Sequence, residues 1–369
     1  MLAKQQFLFV TCQVGAEKAV KSELGRQRPE FRAAFARPGF LTFKLPEGLG
    51  LPGNYEPESV FARAWGFSLG KASGSDSEAL ARAAWALAGE RPFARIHAWE
   101  RDRFEPGEHR FEPSITPAAV AAYEALRRTC LRPQALARGD HLAEPARPGD
   151  GVLDCILIDA GQWWVGWHRA RSLPSQWPGG LMRIELPPEA VSRAWLKMEE
   201  ALRWSQLPIP KGARCVELGS APGGASQALL ARGLEVLGID PAAMDPALLG
   251  HPRFRHIRSR AAGVPRREFR KARWLTADMN VAPNYTLDVV ESLVTHAEVN
   301  VRGLLLTLKL PEWTLAGHVP EYLDRVRSWG YNMVRARQLQ YDRREFCVAA
   351  LQTPFRRKPP SRMAFPRTS

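Results

Sequence analysis

The sequence predicts an α/β protein with a doubly wound sheet in its second half, on three observations. From about residue 190 onward, short apolar runs of strand length alternate with longer runs of helical period. Residues 213–240, ARCVELGSAPGGASQALLARGLEVLGID, give strand, glycine-rich turn, helix and a second strand ending in an acid, the order of the first half of such a sheet. Of 369 residues, 45% are hydrophobic, core material for two or three domains of about 150 residues each.

Taken in order, residues 6–12 (QFLFVTC) form a strand, Ala16 to Leu24 a helix and Gly39 to Leu45 a second strand. An apolar segment, FARAWGFSLG, completes a small α/β unit ending near residue 72, where KASGSDSE supplies polar turn chemistry and a helix start. Residues 78–88 continue as a helix, Ala94 to Trp99 as a strand and Thr116 to Leu131 as another helix. After the Pro- and Gly-rich 132–150 come strands Val152 to Asp159 and Gln162 to His168. Trp163, Trp164 and Trp167 in the latter can stack on bases, but aromatics are common in strands and core filling is the expectation. His168 has no ligand partner at a metal-binding spacing and is taken as structural, so no metal is expected. Residues 171–189 are a Pro- and Gly-rich linker.

The second half opens with an amphipathic helix in VSRAWLKMEEALRW, which carries Lys197. The strand Arg214 to Leu218 then enters the turn holding Gly219, Gly223 and Gly224, which removes side chains where the backbone passes close to a ligand. Asp240 ends the next strand, placed to accept hydrogen bonds from a ribose diol. The glycines lack the G-x-G-x-x-G spacing that seats a pyrophosphate, so a nucleoside cofactor without phosphates fits better, and S-adenosyl-L-methionine is the common one. Phe254 to Ser259 and Trp274 to Met279 are the third and fourth strands, the latter delivering Asp278. Leu287 to Asn300 is a helix, and Gly303 to Leu310 a buried strand delivering Lys309. A helix at Val319 to Trp329 and strands Met333 to Gln340 and Glu345 to Gln352 follow, with a basic, Pro-containing tail at 355–369.

The net charge of +14 favours a polyanionic partner. Arg253, Arg255, Arg258, Arg260, Arg266, Arg267, Arg270, Lys271 and Arg273 stand against the single acid Glu268 in their stretch, and RNA contact is expected there. Five scattered cysteines argue for a reducing compartment and against a disulfide framework or structural zinc. The apolar run in MLAKQQFLFV is too short for a signal peptide, and no stretch approaches the roughly 18 apolar residues of a membrane span, so a soluble cytoplasmic protein is expected.

A sheet of this type brings Asp278 and Lys309 beside the first turn. Desolvation of a Lys ending the apolar LLLTLKLP lowers its pKa, which suits a general base; a neighbouring Lys197 acts in the same direction, and carboxylates at Asp278 and Glu345 act oppositely. These parts suit in-line transfer of a methyl group from a sulfonium to a hydroxyl oxygen.

The motifs SRAWLKMEEA, VELGSAPGGASQ, TADM, LKLPE and DRREFCV resemble the FtsJ-type RNA ribose 2′-O-methyltransferases. The resemblance implies a Lys-Asp-Lys-Glu tetrad at Lys197, Asp278, Lys309 and Glu345, with Lys309 as the base. It also implies a cofactor site at Ser192, Gly219, Ala221, Pro222, Gly223, Gly224, Asp240 and Asp278. Within the family the likeness is to a branch acting on a cytidine of 23S ribosomal RNA or its large-subunit precursor. This implies a ferredoxin-like unit (1–72) and a THUMP RNA-binding domain (73–170), then the linker, a Rossmann-like methyltransferase domain with a mixed seven-stranded sheet (190–354) and the tail. The sequence departs from the family in having Glu217 for the usual Asp, Ala225 for a frequent aromatic, and Ser259 and Arg260 where an acid faces adenine. Two other readings are the same chemistry on a different RNA, and a non-catalytic RNA-binding or ribosome-assembly protein.

Overall fold

Residues 6–137, 141–142 and 144–353 are described by the structure, a computed structural model. The tail expected at 355–369 lies outside the described residues. The amino-terminal half contains β1 (Phe7–Thr11), α1 (Glu17–Gln27), β2 (Arg32–Arg37), β3 (Phe40–Lys44), β4 (Ala64–Ser73), α2 (Ser77–Ala88), β5 (Arg95–Glu100), α3 (Pro117–Arg128), β6 (Gly151–Asp159) and β7 (Gln162–Arg169). The strands form one mixed sheet in the order β2-β3-β1-β4-β7-β6-β5, with only β5 and β6 parallel. β4 pairs with β1 on one side and β7 on the other, so the sheet is continuous through residues 72 and 73.

The local reasons are visible. Asp76 caps α2 by accepting from the amides of Glu78 and Ala79, as the polar SGSDSE run predicts. Trp163 and Trp164 are buried, and Trp167 packs on Phe67 with ring centroids 5.4 Å apart, so the tryptophans fill core as expected. β2 is a strand the sequence reading passes over. RAAFAR lies mostly exposed at the sheet edge with no buried alternation, and only Phe35 reaches inward, 5.5 Å from the Trp164 ring.

Residues 171–184 cross the sheet as a packed strap rather than an open loop. Pro174, Ser175, Pro178, Gly179 and Gly180 are buried, and a Cβ on Gly179 would meet the Trp99 ring at 2.7 Å. The carboxyl-terminal half follows with α4 (Ala194–Ser205), β8 (Arg214–Leu218), α5 (Gly224–Ala231), β9 (Glu235–Ile239), α6 (Pro246–Leu249), β10 (Phe254–Ile257), β11 (Trp274–Ala277), α7 (Pro283–Val294), β12 (Gly303–Lys309), α8 (Val319–Ser328), β13 (Met333–Arg337) and β14 (Glu345–Leu351). α7 stops at Val294, short of the expected Asn300.

Strand order here is β10-β9-β8-β11-β12-β14-β13, with β8 to β12 parallel and β14 antiparallel to both its neighbours. This is the expected Rossmann-like mixed sheet. The chain leaves β8 toward β9 and returns on the other side as β11, which opens a crevice at the carboxyl ends of β8 and β11. Because β14 is antiparallel, its first residue sits where β12 ends, and Glu345 is the register partner of Lys309.

The two sheets share a core: Val10, Cys12 and Phe61 belong to the same buried cluster as Leu218, Leu306 and Phe346. Phe61 packs edge-on against Trp313 and Phe346, with centroids 5.8 and 6.0 Å away. No helix among the described residues is long and apolar enough to cross a membrane.

Candidate active site

Four side chains separated by up to 148 residues meet at the carboxyl ends of the parallel strands. Lys197 comes from α4, Asp278 follows β11, Lys309 ends β12 and Glu345 opens β14. Lys309 Nζ lies 2.8 Å from Asp278 Oδ1, and Lys197 Nζ 3.7 Å from Asp278 Oδ2. The two oxygens of Glu345 each accept from one of the lysines. Glu345 is 3% exposed, so nearly all of its charge is compensated by these two ammonium groups.

The electrostatics fix the charges of Lys197 and Asp278. Burial disfavours a charged Lys197, but Asp278, Glu345 and Asp342 outweigh it and raise its pKa above the ordinary lysine value, so Lys197 stays an ammonium. Burial also opposes the Asp278 carboxylate, yet Lys197 and Lys309 hold its pKa below the usual range. For Lys197 the carboxylates outweigh burial because Glu345 and Asp278 lie within hydrogen-bond or ion-pair reach.

The cofactor-side residues gather next to this cluster. Gly219 has φ +79°, and a Cβ there would meet the Asp278 carbonyl oxygen at 2.6 Å, so glycine lets the first turn pack against the residue that carries the tetrad carboxylate. Gly223 has φ +123° and packs on Met244 and Leu248, while Gly224 opens α5 against Ser192. Pro222 follows Ala221 through a cis peptide. Asp240 Oδ2 accepts from the Ala221 amide at 3.1 Å and Oδ1 from the Ala242 amide at 2.7 Å, which fixes the carboxylate and leaves lone pairs on both oxygens.

Glu217, one methylene longer than an Asp, is buried and accepts from the Ser226 hydroxyl. Burial, with Asp278 and Asp240 nearby, pushes its carboxyl up to about 8 despite the Ser226 bond. Between the ordinary 4.5 and about 8 the folded chain therefore keeps a proton the unfolded chain releases, and stability falls as pH rises through that window. Each unit of separation is worth about 1.4 kcal/mol. Glu217→Gln, which fixes the neutral shape, is expected to flatten the decline in melting temperature between about pH 6 and pH 8.5. Parallel profiles for variant and parent would rule out a buried neutral Glu217.

A cleft of about 1140 Å³ opens over the tetrad and is lined by Lys197, Lys309 and Glu345 together with Arg193, Asn280, Tyr341, Arg343 and Arg344. Glu105, Pro106, Gly107 and Glu108 of the amino-terminal half close one wall. Arg193 pairs with Glu112 at 2.6 Å, and Arg344 faces Glu105 at 3.8 Å. The sequence reading did not single out these arginines, although Arg193, Arg343 and Arg344 directly neighbour the motif residues. The basic segment 253–273 lies elsewhere. Arg253, Arg255, Arg267 and Lys271 line a separate cleft of about 650 Å³ at the amino ends of β8, β9 and β10. Arg255 pairs with Glu268, and Arg270 with Glu298 from beyond the segment.

A profile of the FtsJ-like methyltransferases matches residues 190–316. That stretch contains α4, the glycine turn and the ends of β11 and β12. Residues 190–316 are thus similar to the FtsJ-like methyltransferases. The ribosomal RNA large subunit methyltransferase M of Halorhodospira halophila is 36% identical over 188 residues, 50% of this chain and 53% of that protein. The protein of the same name from Laribacter hongkongensis is 31% identical over 184 residues, 47% and 51% of the two chains. That of Tolumonas auensis is 28% identical over 227 residues, 58% and 61%. The chain spans about half the length of the first of these curated relatives.

The FtsJ-like domain implies S-adenosyl-L-methionine as its cosubstrate, and the residues present fit it. Ser192 Oγ is buried against Gly224 and has no hydrogen-bond partner among the described residues, so a donor or acceptor is open at the mouth of the first turn. α5 begins without a side-chain cap, leaving amides of its first turn for a ligand. Asp240 is held ready for a diol. Ser259, at the position of the family's acid, donates to the Arg260 carbonyl at 3.1 Å, and Arg260 is exposed.

One further cluster was not visible in the sequence. His97, Asp154 and His168 each offer a ligand atom within 4.8 Å of the others. His168 Nδ1 lies 2.6 Å from Asp154 Oδ2, and its Nε2 is 2.8 Å from the Ser175 carbonyl oxygen. Burial works against a charged His168, but Asp154 raises its pKa, so the pair holds a proton between them. With both ring nitrogens engaged, His168 clamps β6 and β7 to the 171–184 strap.

Proposed function

We propose that this chain is an S-adenosyl-L-methionine-dependent RNA ribose 2′-O-methyltransferase acting on a cytidine of 23S ribosomal RNA or a large-subunit precursor. The observation that carries the reading is the meeting of Lys197, Asp278, Lys309 and Glu345 beside the glycine turn, in a domain similar to a methyltransferase family. The relatives named above support the ribosomal substrate. Ser192, Gly219, Ala221 to Gly224, Asp240 and Asp278 would hold the cosubstrate.

Bound S-adenosyl-L-methionine supplies an electrophilic methyl group on a sulfonium. The ribose 2′-hydroxyl is a weak nucleophile and gains from a base within hydrogen-bond reach. Lys309 takes that role: once its Nζ has released a proton to solvent, it accepts the hydroxyl proton and is again an ammonium held by Asp278 and Glu345. Lys197 is the fixed cation that anchors both carboxylates. Arg193, Arg343 and Arg344 give the cleft a positive wall on which backbone phosphates can settle.

The amino-terminal sheet is read as a ferredoxin-like unit (1–72) followed by a THUMP RNA-binding domain (73–170), tied by the 171–189 linker to the methyltransferase domain (190–354). The net charge of +14 supports RNA as the partner, and the protein would work in the cytoplasm. Incubation with labelled cosubstrate and undermodified total RNA, followed by mapping, is expected to place the label on one 23S cytidine. Label on another RNA would move the substrate and keep the chemistry. No label, and no heat on titration with millimolar cosubstrate, would make the chain a binding protein instead.

A further inference from the structure

The connection between β13 and β14, residues 338–344, ends on the carboxylate that bridges both lysines, and the amino-terminal half holds it. Gln13, between β1 and α1, and Gln338, after β13, are each 5% exposed, and Asp342 is fully buried. Primary amides at that depth are costly unless their donors and acceptor are matched. Here they are. Gln13 Nε2 donates to the Asp342 carbonyl at 2.9 Å, and Gln13 Oε1 accepts from Gln338 Nε2 at 2.6 Å. Gln338 Nε2 also faces the main-chain carbonyls of Arg343 at 2.8 Å and Glu345 at 3.4 Å. Three carbonyl oxygens around one amide nitrogen leave no choice of orientation, because the flipped amide would set oxygen against oxygen.

The two amides therefore grip the backbone at residues 342, 343 and 345, immediately behind a carboxylate that must meet two ammonium groups at once. Glu200 of α4 holds the same connection from the other side, accepting from the main-chain N–H groups of Gln340 at 2.8 Å and Tyr341 at 3.3 Å, while the two glutamines meet the carbonyls of residues 342, 343 and 345. The Gln338 main-chain N–H donates to the Val60 carbonyl at 2.7 Å, and Gln340 Nε2 to the Pro113 carbonyl at 3.0 Å. The connection is thus pinned to the amino-terminal half at several points.

We propose that Gln13 and Gln338 are positioning residues for the tetrad, and that the amino-terminal half sets the placement of Glu345 through them. This rests on the reading of Lys197, Asp278, Lys309 and Glu345 as the methyl-transfer site. Neither glutamine touches the cosubstrate residues or lines the cleft over the tetrad. Loosening them shifts Glu345 relative to both lysines, and a misplacement of about 1 Å can reduce a rate about a hundredfold.

The test uses the full chain with Gln13→Met and Gln338→Met, which keep volume and remove the bonds. Expected is a fall in kcat of about tenfold to a hundredfold, with KM for RNA and Kd for the cosubstrate within about twofold of the parent. Independently of activity, the Lys197 ammonium signal in lysine-labelled protein is expected to titrate at lower pH in both variants, because Glu345 is one of the groups that raises its pKa. Gln13→Glu gives a second handle: its carboxylate repels the Asp342 carbonyl, whereas its protonated form can donate to it, so its rate relative to the parent should recover as pH falls. A kcat within twofold of the parent together with an unmoved Lys197 titration, even with a lower melting temperature, overturns the proposal. If the parent transfers no methyl to any RNA, the functional reading fails, while the Lys197 titration still decides the positioning role.

Discussion

Lys309→Ala is expected to lower kcat about a thousandfold or more and to leave the affinity for S-adenosyl-L-methionine within about threefold of the parent. The side chain ends β12 and among the described residues pairs with other members of the tetrad, Asp278 at 2.8 Å and Glu345. Ser192, the 219–224 turn and Asp240 keep their contacts without it, which is why binding should survive. Lys309→Arg separates two possible contributions. It restores a cation beside Asp278 and Glu345 but offers no group that accepts a proton near neutral pH. If Lys309 acts as a base, both variants are inactive; if it acts only as a fixed charge, the Arg variant recovers. Rapid-quench measurement of single-turnover transfer, paired with calorimetry of cosubstrate binding, reads both. Turnover of Lys309→Ala within tenfold of the parent would remove Lys309 from the chemistry.

Glu345→Gln should affect stability and rate together. The carboxylate is nearly inaccessible and its two oxygens serve different lysines, so the neutral amide leaves two ammonium groups facing Asp278. Breaking a buried ion pair on one side costs about 3–5 kcal/mol, because the remaining charge stays desolvated and uncompensated. The pH dependence follows from Lys197. Its folded pKa lies above the ordinary 10.5, so its contribution is complete below 10.5 and disappears as pH rises through the folded value. The stability gap between Glu345→Gln and the parent should therefore persist through the neutral range and narrow only above about pH 10.5. Denaturant melts at neutral and strongly alkaline pH measure it, and equal midpoints at neutral pH would show that the bridge carries little energy. The rate should fall as well, since Lys309 loses one of the two carboxylates that orient it.

Much of this was written in short stretches of sequence. β8, the glycine turn, α5 and β9 are legible because hydrophobic period and turn chemistry are local properties, and the cap at Asp76 is local for the same reason. The tetrad was nameable from its motifs: Asp278, Lys309 and Glu345 stand at strand ends that the neighbouring apolar runs mark, whereas Lys197, inside α4, came from the family resemblance. β2 was not legible: an exposed edge strand buries almost nothing, so RAAFAR leaves no alternation to find.

What the sequence determined by itself is the kind of element at each place and the residues delivered to the carboxyl ends of the strands. Only the tertiary structure decided which charges meet. Coulomb energy depends on separation in space, and a distance such as that from Lys197 to Glu345, 148 residues away, exists only once α4 and β14 are packed. The same holds for the Gln13 and Gln338 amides, for the clamp of His168 on Asp154, and for Arg270, whose carboxylate partner Glu298 comes from outside the basic segment.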